Sequence, residues 1–319
     1  MRLGLKLLLS FAVLCVVAAF GVSWRASARE AATEAEFPPQ GELVTVGDHQ
    51  VHAVVMGDGP DLVLIHGSNG NTRDMTLALA PKLAERYRVI VFDRPGLGYS
   101  DAVNPRGASI AEQAGVLADA AMQLGATRPI VMGQSYGGAV ALAWAVHRPE
   151  NIAALVPVAS VSNPWESALD PLYRVTSSGW GSAIVVPLIT AFVGEARVNR
   201  SIPPIFAPQT APDDYAQSVG AALALRRGAL RATALQRANF LSEIQTISPQ
   251  YPSITVPTEI VHGDTDTTVP LHIHSEKLVA QIPDAVLTRL PGIGHMPHHV
   301  AADDVIAAID RAAARAGLR

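Results

Sequence analysis

The segment Gly133-Gln134-Ser135-Tyr136-Gly137-Gly138 sets a serine among glycines, after the apolar run Pro129 to Met132 and before an alanine-rich stretch. In a G-x-S-x-G setting a sharp strand-to-helix turn holds the serine hydroxyl exposed, and the glycines allow close backbone approach. The helix behind such a turn aims N–H groups at developing negative charge. A serine so placed could attack a carbonyl carbon. The plainer alternative is an N-cap serine on a glycine-rich turn. Attack needs a base, and the base needs an orienting carboxylate. Of ten histidines, His295 alone follows a late strand in a glycine-rich turn, Gly292-Ile293-Gly294-His295-Met296-Pro297. His298 and His299 are the alternatives, at the start of the last helix. His147 falls at a helix C-terminus, where it would cap, and His262 ends a strand. The acid should lie between nucleophile and base in chain order. The loop His262 to Pro270 offers two carboxylates. Asp266 lies far enough along to turn back toward His295, whereas Asp264 is placed to brace the loop by accepting backbone N–H groups.

Two further loops follow strands. His66-Gly67-Ser68-Asn69-Gly70-Asn71 can present a backbone N–H opposite the serine turn. The N–H groups of Ser68 and Tyr136 would then form an oxyanion hole, with Asn69 the adjacent candidate donor. The alternative is an ordinary turn between a strand and a helix. Asp93 to Asp101 is rich in glycine and proline and reads as a structural turn in which Asp93 and Arg94 tie neighbouring loops by ion pairs. It is no phosphate loop, because its glycines do not open a helix and a polar stretch with Pro105 comes first.

These loops need a frame. Leu43–Val46 and Val51–Met56 form a hairpin pair around Gly47-Asp48. Leu62–Ile65, Val89–Phe92, Pro129–Met132, Ala154–Pro157, Glu259–Val261 and Val286–Leu290 are short apolar runs, as in strands covered on both faces. Helical periodicity fills Met75–Arg86, Ile110–Leu124, Gly137–His147 and Ala302–Ala314. Alternation of this kind implies a mostly parallel sheet with helices on both faces. Residues 162–253 break the rhythm. They hold many prolines, Trp165, Trp180, the apolar run Ile184 to Val193, and helical patterns over Asp213–Leu225 and Leu230–Ile247. So long a connection must be an inserted subdomain.

Composition narrows the function. Hydrophobic residues make up 49% of the 319 and charged residues 16%, which excludes a disordered chain. The net charge of −4 gives no basic excess for nucleic acid. A single cysteine, Cys15, excludes a disulfide framework and a multi-cysteine zinc site. Lysine occurs only at Lys6, Lys82 and Lys277, a bias of genome composition rather than of a binding site. At the N-terminus, Arg2 and Lys6 precede an apolar run from Leu7 to Val22, closed by Trp24 and Arg25. Residues 1–28 read as a signal peptide with an Ala26-Ser27-Ala28 cleavage site, or as an uncleaved membrane anchor. Either reading exports the domain, to the periplasm or medium or anchored at the membrane. Lipidation of Cys15 is disfavoured, since Ala12-Val13-Leu14 lacks the small residues usual before a lipidated cysteine. Residues 29–41, rich in alanine and glutamate and ending near Pro38-Pro39, read as a linker.

From Glu42 to Ala314 the chain resembles the α/β-hydrolase superfamily. The likeness rests on four motifs in order: His66-Gly67, the Asp93-to-Asp101 turn, the Gly133-to-Gly138 elbow, and Asp266 before His295. It implies an eight-stranded, mostly parallel sheet, with core segments 42–161 and 254–319 and a helical cap, 162–253, after the sixth strand. It implies Ser135 as nucleophile, His295 as base and Asp266 as acid, with no metal or organic cofactor. Many relatives carry an acidic residue about five positions after the histidine, where this chain has Val300, which blurs the subfamily. Epoxide hydrolases and haloalkane dehalogenases of this fold use a carboxylate nucleophile, and position 135 is serine. The expected activity is hydrolysis of a fairly apolar small-molecule ester through an acyl-enzyme, with the apolar cap run either lining the pocket or simply packing on the core domain. A carbon–carbon bond hydrolase is the alternative, with Arg174, Arg197, Arg200, Arg226 or Arg227 either as cap cations or, the plainer reading, as solvated surface charges, and haloperoxidase or perhydrolase behaviour a side activity. A non-catalytic binding protein is opposed by the presence of all three residues. Pro203-Pro204 and Gly228 are candidate cap hinges, or plain turn residues of a long insertion.

Overall fold

The computed structural model describes residues 2–319, with residues 2 and 3 described by backbone alone. Met1, the first residue of the expected leader, lies outside the described residues. Eight strands form one sheet: β1 Glu42–Val46, β2 His49–Met56, β3 Asp61–Ile65, β4 Arg88–Phe92, β5 Ile130–Gln134, β6 Ala154–Val158, β7 Thr258–Gly263 and β8 Ala285–Leu290. Their order is β1-β2-β4-β3-β5-β6-β7-β8. β2 runs antiparallel to both neighbours, and every later pairing is parallel.

The uninterrupted apolar strands now have a cause. In β3, Val63 and Ile65 enter one core while Leu62 and Leu64 enter the other. Successive side chains of a strand point to opposite faces, so a strand covered on both sides has no polar face to show. Helices α4 Ile110–Gln123 and α5 Tyr136–His147 cover the first face. Helices α2 Thr72–Thr76, α3 Leu79–Leu83 and α14 Ala302–Arg315 cover the second. The helix expected over Met75–Arg86 is thus two short ones. Pro81 has no N–H to give a continuous helix, and as the third residue of α3 it needs none.

Residues 162–253 insert between β6 and β7 as a helical cap. It comprises α6 Pro171–Ser177, α7 Gly179–Phe192, α8 Glu195–Ser201, α9 Pro203–Phe206, α10 Tyr215–Ser218 and α11 Arg227–Ile247. The helix expected over Asp213–Leu225 is broken, because Gly220 turns left-handed at φ 59° between α10 and a 3-10 turn. The core closes with α12 Ser275–Gln281 and α13 Pro297–Val300.

The N-terminal helix α1 spans Arg2–Glu36, which corrects the expected linker over 29–41. Alanine and glutamate are strong helix formers, and no breaker comes before Pro38. Glu30 and Glu34 also find partners: Arg227 Nη2 lies 2.5 Å from Glu30 and Arg226 Nη1 lies 2.8 Å from Glu34. Only residues 37–41 remain as a connection. The stretch Gly4–Glu36 is long and apolar enough to cross a membrane.

Candidate active site

The elbow is built by sterics. Ser135 has φ 55° and ψ −117°, a conformation costly to an L-residue, on the order of 1–3 kcal/mol. The tight packing around it explains why this is held. A Cβ on Gly133 would lie 2.2 Å from Gly137 O, and one on Gly137 would lie 2.3 Å from Ile65 O. Any side chain there would push α5 off the sheet. Ser135 is buried, and its N–H donates to Val158 O at 3.0 Å.

Three of the sequence-derived residues come together in one hydrogen-bonded line. Ser135 Oγ lies 3.0 Å from His295 Nε2, and His295 Nδ1 lies 2.7 Å from Asp266 Oδ2. A carboxylate can only accept, so Nδ1 carries the proton and Nε2 is free to accept the serine hydroxyl. Asp266 Oδ1 accepts the N–H groups of Thr268 and Val269, each at 2.8 Å. Burial alone would raise the Asp266 carboxyl. The hydrogen bonds from His262 and His295 and the Val269 amide outweigh burial and hold it well below the usual carboxylate range. Asp264 points elsewhere and accepts Gly292 N–H at 2.7 Å, bracing the neighbouring turn.

Sequence reasoning passed over His262. Its Nε2 faces Asp266 Oδ2 at 3.2 Å and Val269 O at 2.8 Å, both acceptors, so this nitrogen is protonated. Nδ1 then accepts the Ser275 hydroxyl at 2.6 Å. The only signal in the sequence is a histidine at a strand end four residues before Asp266. Gln134 also escaped notice, and its amide donates to His295 O at 3.1 Å.

The loop after β3 lies against the elbow. A Cβ on Gly67 would sit 3.3 Å from Ser135 Cβ. Ser68 follows at once, and Tyr136 opens α5, where its N–H has no acceptor within the helix. Asn69 turns left-handed at φ 56°, and its amide donates to Tyr173 OH of the cap at 3.1 Å. Arg94 fixes this loop. Its side chain donates to His66 O at 3.0 Å and Gly67 O at 3.1 Å, and its guanidinium lies 4.3 Å from the Tyr136 ring centroid. Gln113 and Gln236 accept the remaining bonds at 2.8 and 2.9 Å. Burial lowers Arg94 to about 10, so it stays charged at neutral pH. Asp93 meets His52 Nδ1 at 2.7 Å and lies 4.0 Å from His66 Nε2, while Arg94 makes no ion pair with Asp93 and works through carbonyls and amides. Phe240 of α11 stacks on Tyr136 at 4.0 Å, which seats that helix of the cap over the elbow.

A second cluster joins cap and core. Tyr215 OH donates to Asp74 Oδ1 at 2.6 Å, His299 Nε2 lies 2.8 Å from Oδ1, and His298 Nε2 lies 3.3 Å from Oδ2. Burial opposes ionisation of Asp74, but the charge and N–H donors of the two histidines hold its carboxyl well below the ordinary value. Asp74, His298 and His299 present atoms within 4.8 Å of one another that could ligate a metal. Yet both Nδ1 atoms are buried without a partner among the described residues. Metal-bound histidines ordinarily donate the second ring N–H, so the set fits a hydrogen-bonded lock better than a cation. The cap arginines are also accounted for. Arg226 and Arg227 pair with Glu34 and Glu30 of α1, and Arg174, Arg197 and Arg200 are exposed.

Sheet order, elbow and cap define a class, and comparison with known proteins agrees. The chain belongs to the alpha/beta hydrolase fold family, whose model matches residues 60–302, and it is a hydrolase. A haloalkane dehalogenase 2 of Mycobacterium tuberculosis is 29% identical over 82% of this chain and 90% of its own. An alpha/beta hydrolase fold protein from Burkholderia ambifaria is 25% identical, with TM-score 0.69 over 85% of this chain and 97% of that one. A bacterial membrane phospholipase A, 21% identical, shares the fold at TM-score 0.63 over 98% of both chains.

Proposed function

We propose that the chain is a serine hydrolase of carboxylic esters of fairly apolar molecules. Ser135 is the nucleophile, His295 the general base and then acid, and Asp266 the orienting carboxylate. The observation that carries this reading is the hydrogen-bonded line from Ser135 Oγ through His295 to Asp266, at 3.0 and 2.7 Å. Ser135 attacks the ester carbonyl as His295 takes its proton. The N–H groups of Ser68 and Tyr136 hold the oxyanion, and the alcohol leaves with the proton from His295. Water then repeats the sequence on the acyl-enzyme. Ser68 is preferred to Asn69 as donor because it directly follows Gly67, which packs against Ser135. Halide displacement, the chemistry named for one relative, is disfavoured, because a serine stands where that displacement needs a carboxylate.

The N-terminal helix supports an anchor rather than a cleaved leader. It continues unbroken past Ala26-Ser27-Ala28, and Arg25 and Glu30 on either side are bonded to the cap. The hydrolase domain is then held at the outer face of the membrane. The test is turnover of p-nitrophenyl esters from acetate to palmitate, with Ser135→Ala as control. Turnover lost in the variant supports the reading. A folded protein that cleaves no ester overturns it and brings carbon–carbon hydrolysis forward.

A further inference from the structure

The anchor and the cap meet over several turns of α1, and one of these contacts lies where the apolar run ends. Arg25 is the first charged residue after the apolar run that starts at Leu7. Its Nε donates to Ala191 O at 2.8 Å, and its guanidinium lies 5.2 Å from the Phe192 ring centroid. The point where the span leaves the lipid is therefore level with the C-terminal end of α7. That helix carries Trp180, Ile184, Leu188 and Phe192 at four-residue spacing, 59%, 58%, 41% and 59% exposed. On a helix this spacing makes one stripe, about 18 Å long at ~1.5 Å per residue. Gly181, Val186, Thr190 and Ala191 form the buried side of the same helix. A water-facing cap gains nothing from four large apolar side chains in a row. A helix lying in the bilayer interface needs them, with aromatic residues at the headgroup level.

We propose that α7 rests on the bilayer beside the span and that the substrates are acyl esters of membrane lipids, a refinement that depends on the serine esterase and anchor readings above. The occupant of the stripe is lipid, because the stripe ends where the apolar span of the same chain ends. The neighbouring helix α6 links this face to the site. Leu172 is 50% exposed, and the next residue, Tyr173, accepts the Asn69 amide beside the oxyanion loop. One helix thus separates lipid from the loop against which Ser135 packs.

The test uses the full chain in phosphatidylcholine/phosphatidylglycerol vesicles. A nitroxide on native Cys15 reports the span, and one on Ile184→Cys in a Cys15→Ala background reports the stripe. Glu85→Cys in the same background is the water-exposed control. The expected result is that both the Cys15 and the Ile184 labels collide more with oxygen than with a water-soluble nickel chelate, and the Glu85 label the reverse. An inserted Cys15 label with a water-exposed Ile184 label overturns the proposal. So does dipolar broadening at position 184, which would place a second copy on the stripe. A Cys15 label in water overturns the anchor reading and this proposal together, while turnover of a soluble ester in the same sample judges the esterase reading separately. The combined variant Trp180→Ser, Ile184→Ser, Leu188→Ser and Phe192→Ser should keep soluble-ester turnover and lose vesicle phospholipid hydrolysis by about tenfold or more. Equal rates on vesicles for variant and parent overturn the lipid-docking role.

Discussion

His262 directs its Nε2 at Asp266 Oδ2 from 3.2 Å, the same oxygen that faces His295. The carboxylate is thereby fixed from two sides, and its lone pair toward His295 cannot swing away. His262→Ala should lower kcat by about tenfold with KM little changed, because Asp266 loses a positioning donor and not a substrate contact. Its second consequence is on stability. The folded-state pKa of Asp266 is depressed, so its ionisation contributes stability above the unfolded value that is lost as pH falls through the folded one. Removing His262 raises the folded value, and acid unfolding should begin at higher pH. An unchanged acid midpoint with unchanged kcat would remove His262 from the site.

Asp264 and Asp266 should separate cleanly by mutation. Asp266→Asn leaves His295 with the wrong tautomer and should cost roughly 10³- to 10⁴-fold in kcat. Asp264→Asn touches only the Gly292 amide and should cost about 1 kcal/mol of stability with kcat nearly intact. Reversed outcomes, read from kcat and urea midpoints, would move the acid to Asp264.

Arg94 supports the loop after β3, the proposed oxyanion loop, and its charge is answered by oxygens and a ring rather than by a carboxylate. Arg94→Met leaves His66 O and Gly67 O without their donor and should cost about 2–4 kcal/mol of stability. It should also lower kcat more than it raises KM if the loop holds the oxyanion as proposed. Arg94→Lys should rescue little, because a point charge cannot reach both carbonyls and two glutamines at once. Full activity of the lysine variant would show that charge alone suffices.

What could be read from the sequence was whatever is local. The glycines around Ser135 and the strand before it lie within a few residues, so the elbow is written in one segment. The loops holding Asp266 and His295 follow two adjacent parallel strands, β7 and β8, and both emerge at the same sheet edge. The lock at Asp74 is different, because Asp74 and His298 are 224 residues apart and only packing brings them together. The end of helix α1 is not legible for a related reason. Pro38-Pro39 marks a break correctly, but only the distant Arg226 and Arg227 show that the helix before it is docked. Arg94 was legible as a tie and not as a support for the oxyanion loop, since its acceptors are backbone carbonyls with no residue signature.

Tyr215→Phe probes that lock. It removes the cap's hydroxyl donor to Asp74 and leaves two imidazole donors in place. The expected cost is about 1–2 kcal/mol, with soluble-ester turnover retained because His295 keeps both of its partners. A fall in kcat equal to that of the His262 variant would mean that the lock positions His295 as well. The readout is kcat on a short p-nitrophenyl ester beside the urea midpoint.

The pH dependence of stability should be dominated by histidines that fold neutral. Burial, helped by Arg94, lowers His66 to about 4, burial lowers His274 to about 3, and burial with His299 lowers His298 to about 4. Geometry agrees for two of them. His66 Nε2 accepts the Arg94 amide at 3.0 Å, and His274 Nδ1 accepts the amides of Ser162 and Asn163 at 3.2 Å, so protonation would sever these bonds. The unfolded chain binds these protons below about pH 6.5, and the folded chain does not until about pH 4 or lower. Stability therefore falls as pH drops across that window, by about 1 kcal/mol per pH unit for each histidine. Asp74 and Asp266, with depressed folded values, hold their contribution through this window and lose it only at lower pH. Urea unfolding followed by tryptophan fluorescence between pH 7.5 and 4.5 should give a steadily decreasing midpoint, and the decrease should be shallower in His274→Gln. A midpoint flat from pH 7 to pH 5 would mean that these imidazoles bind protons equally in the folded and unfolded chain.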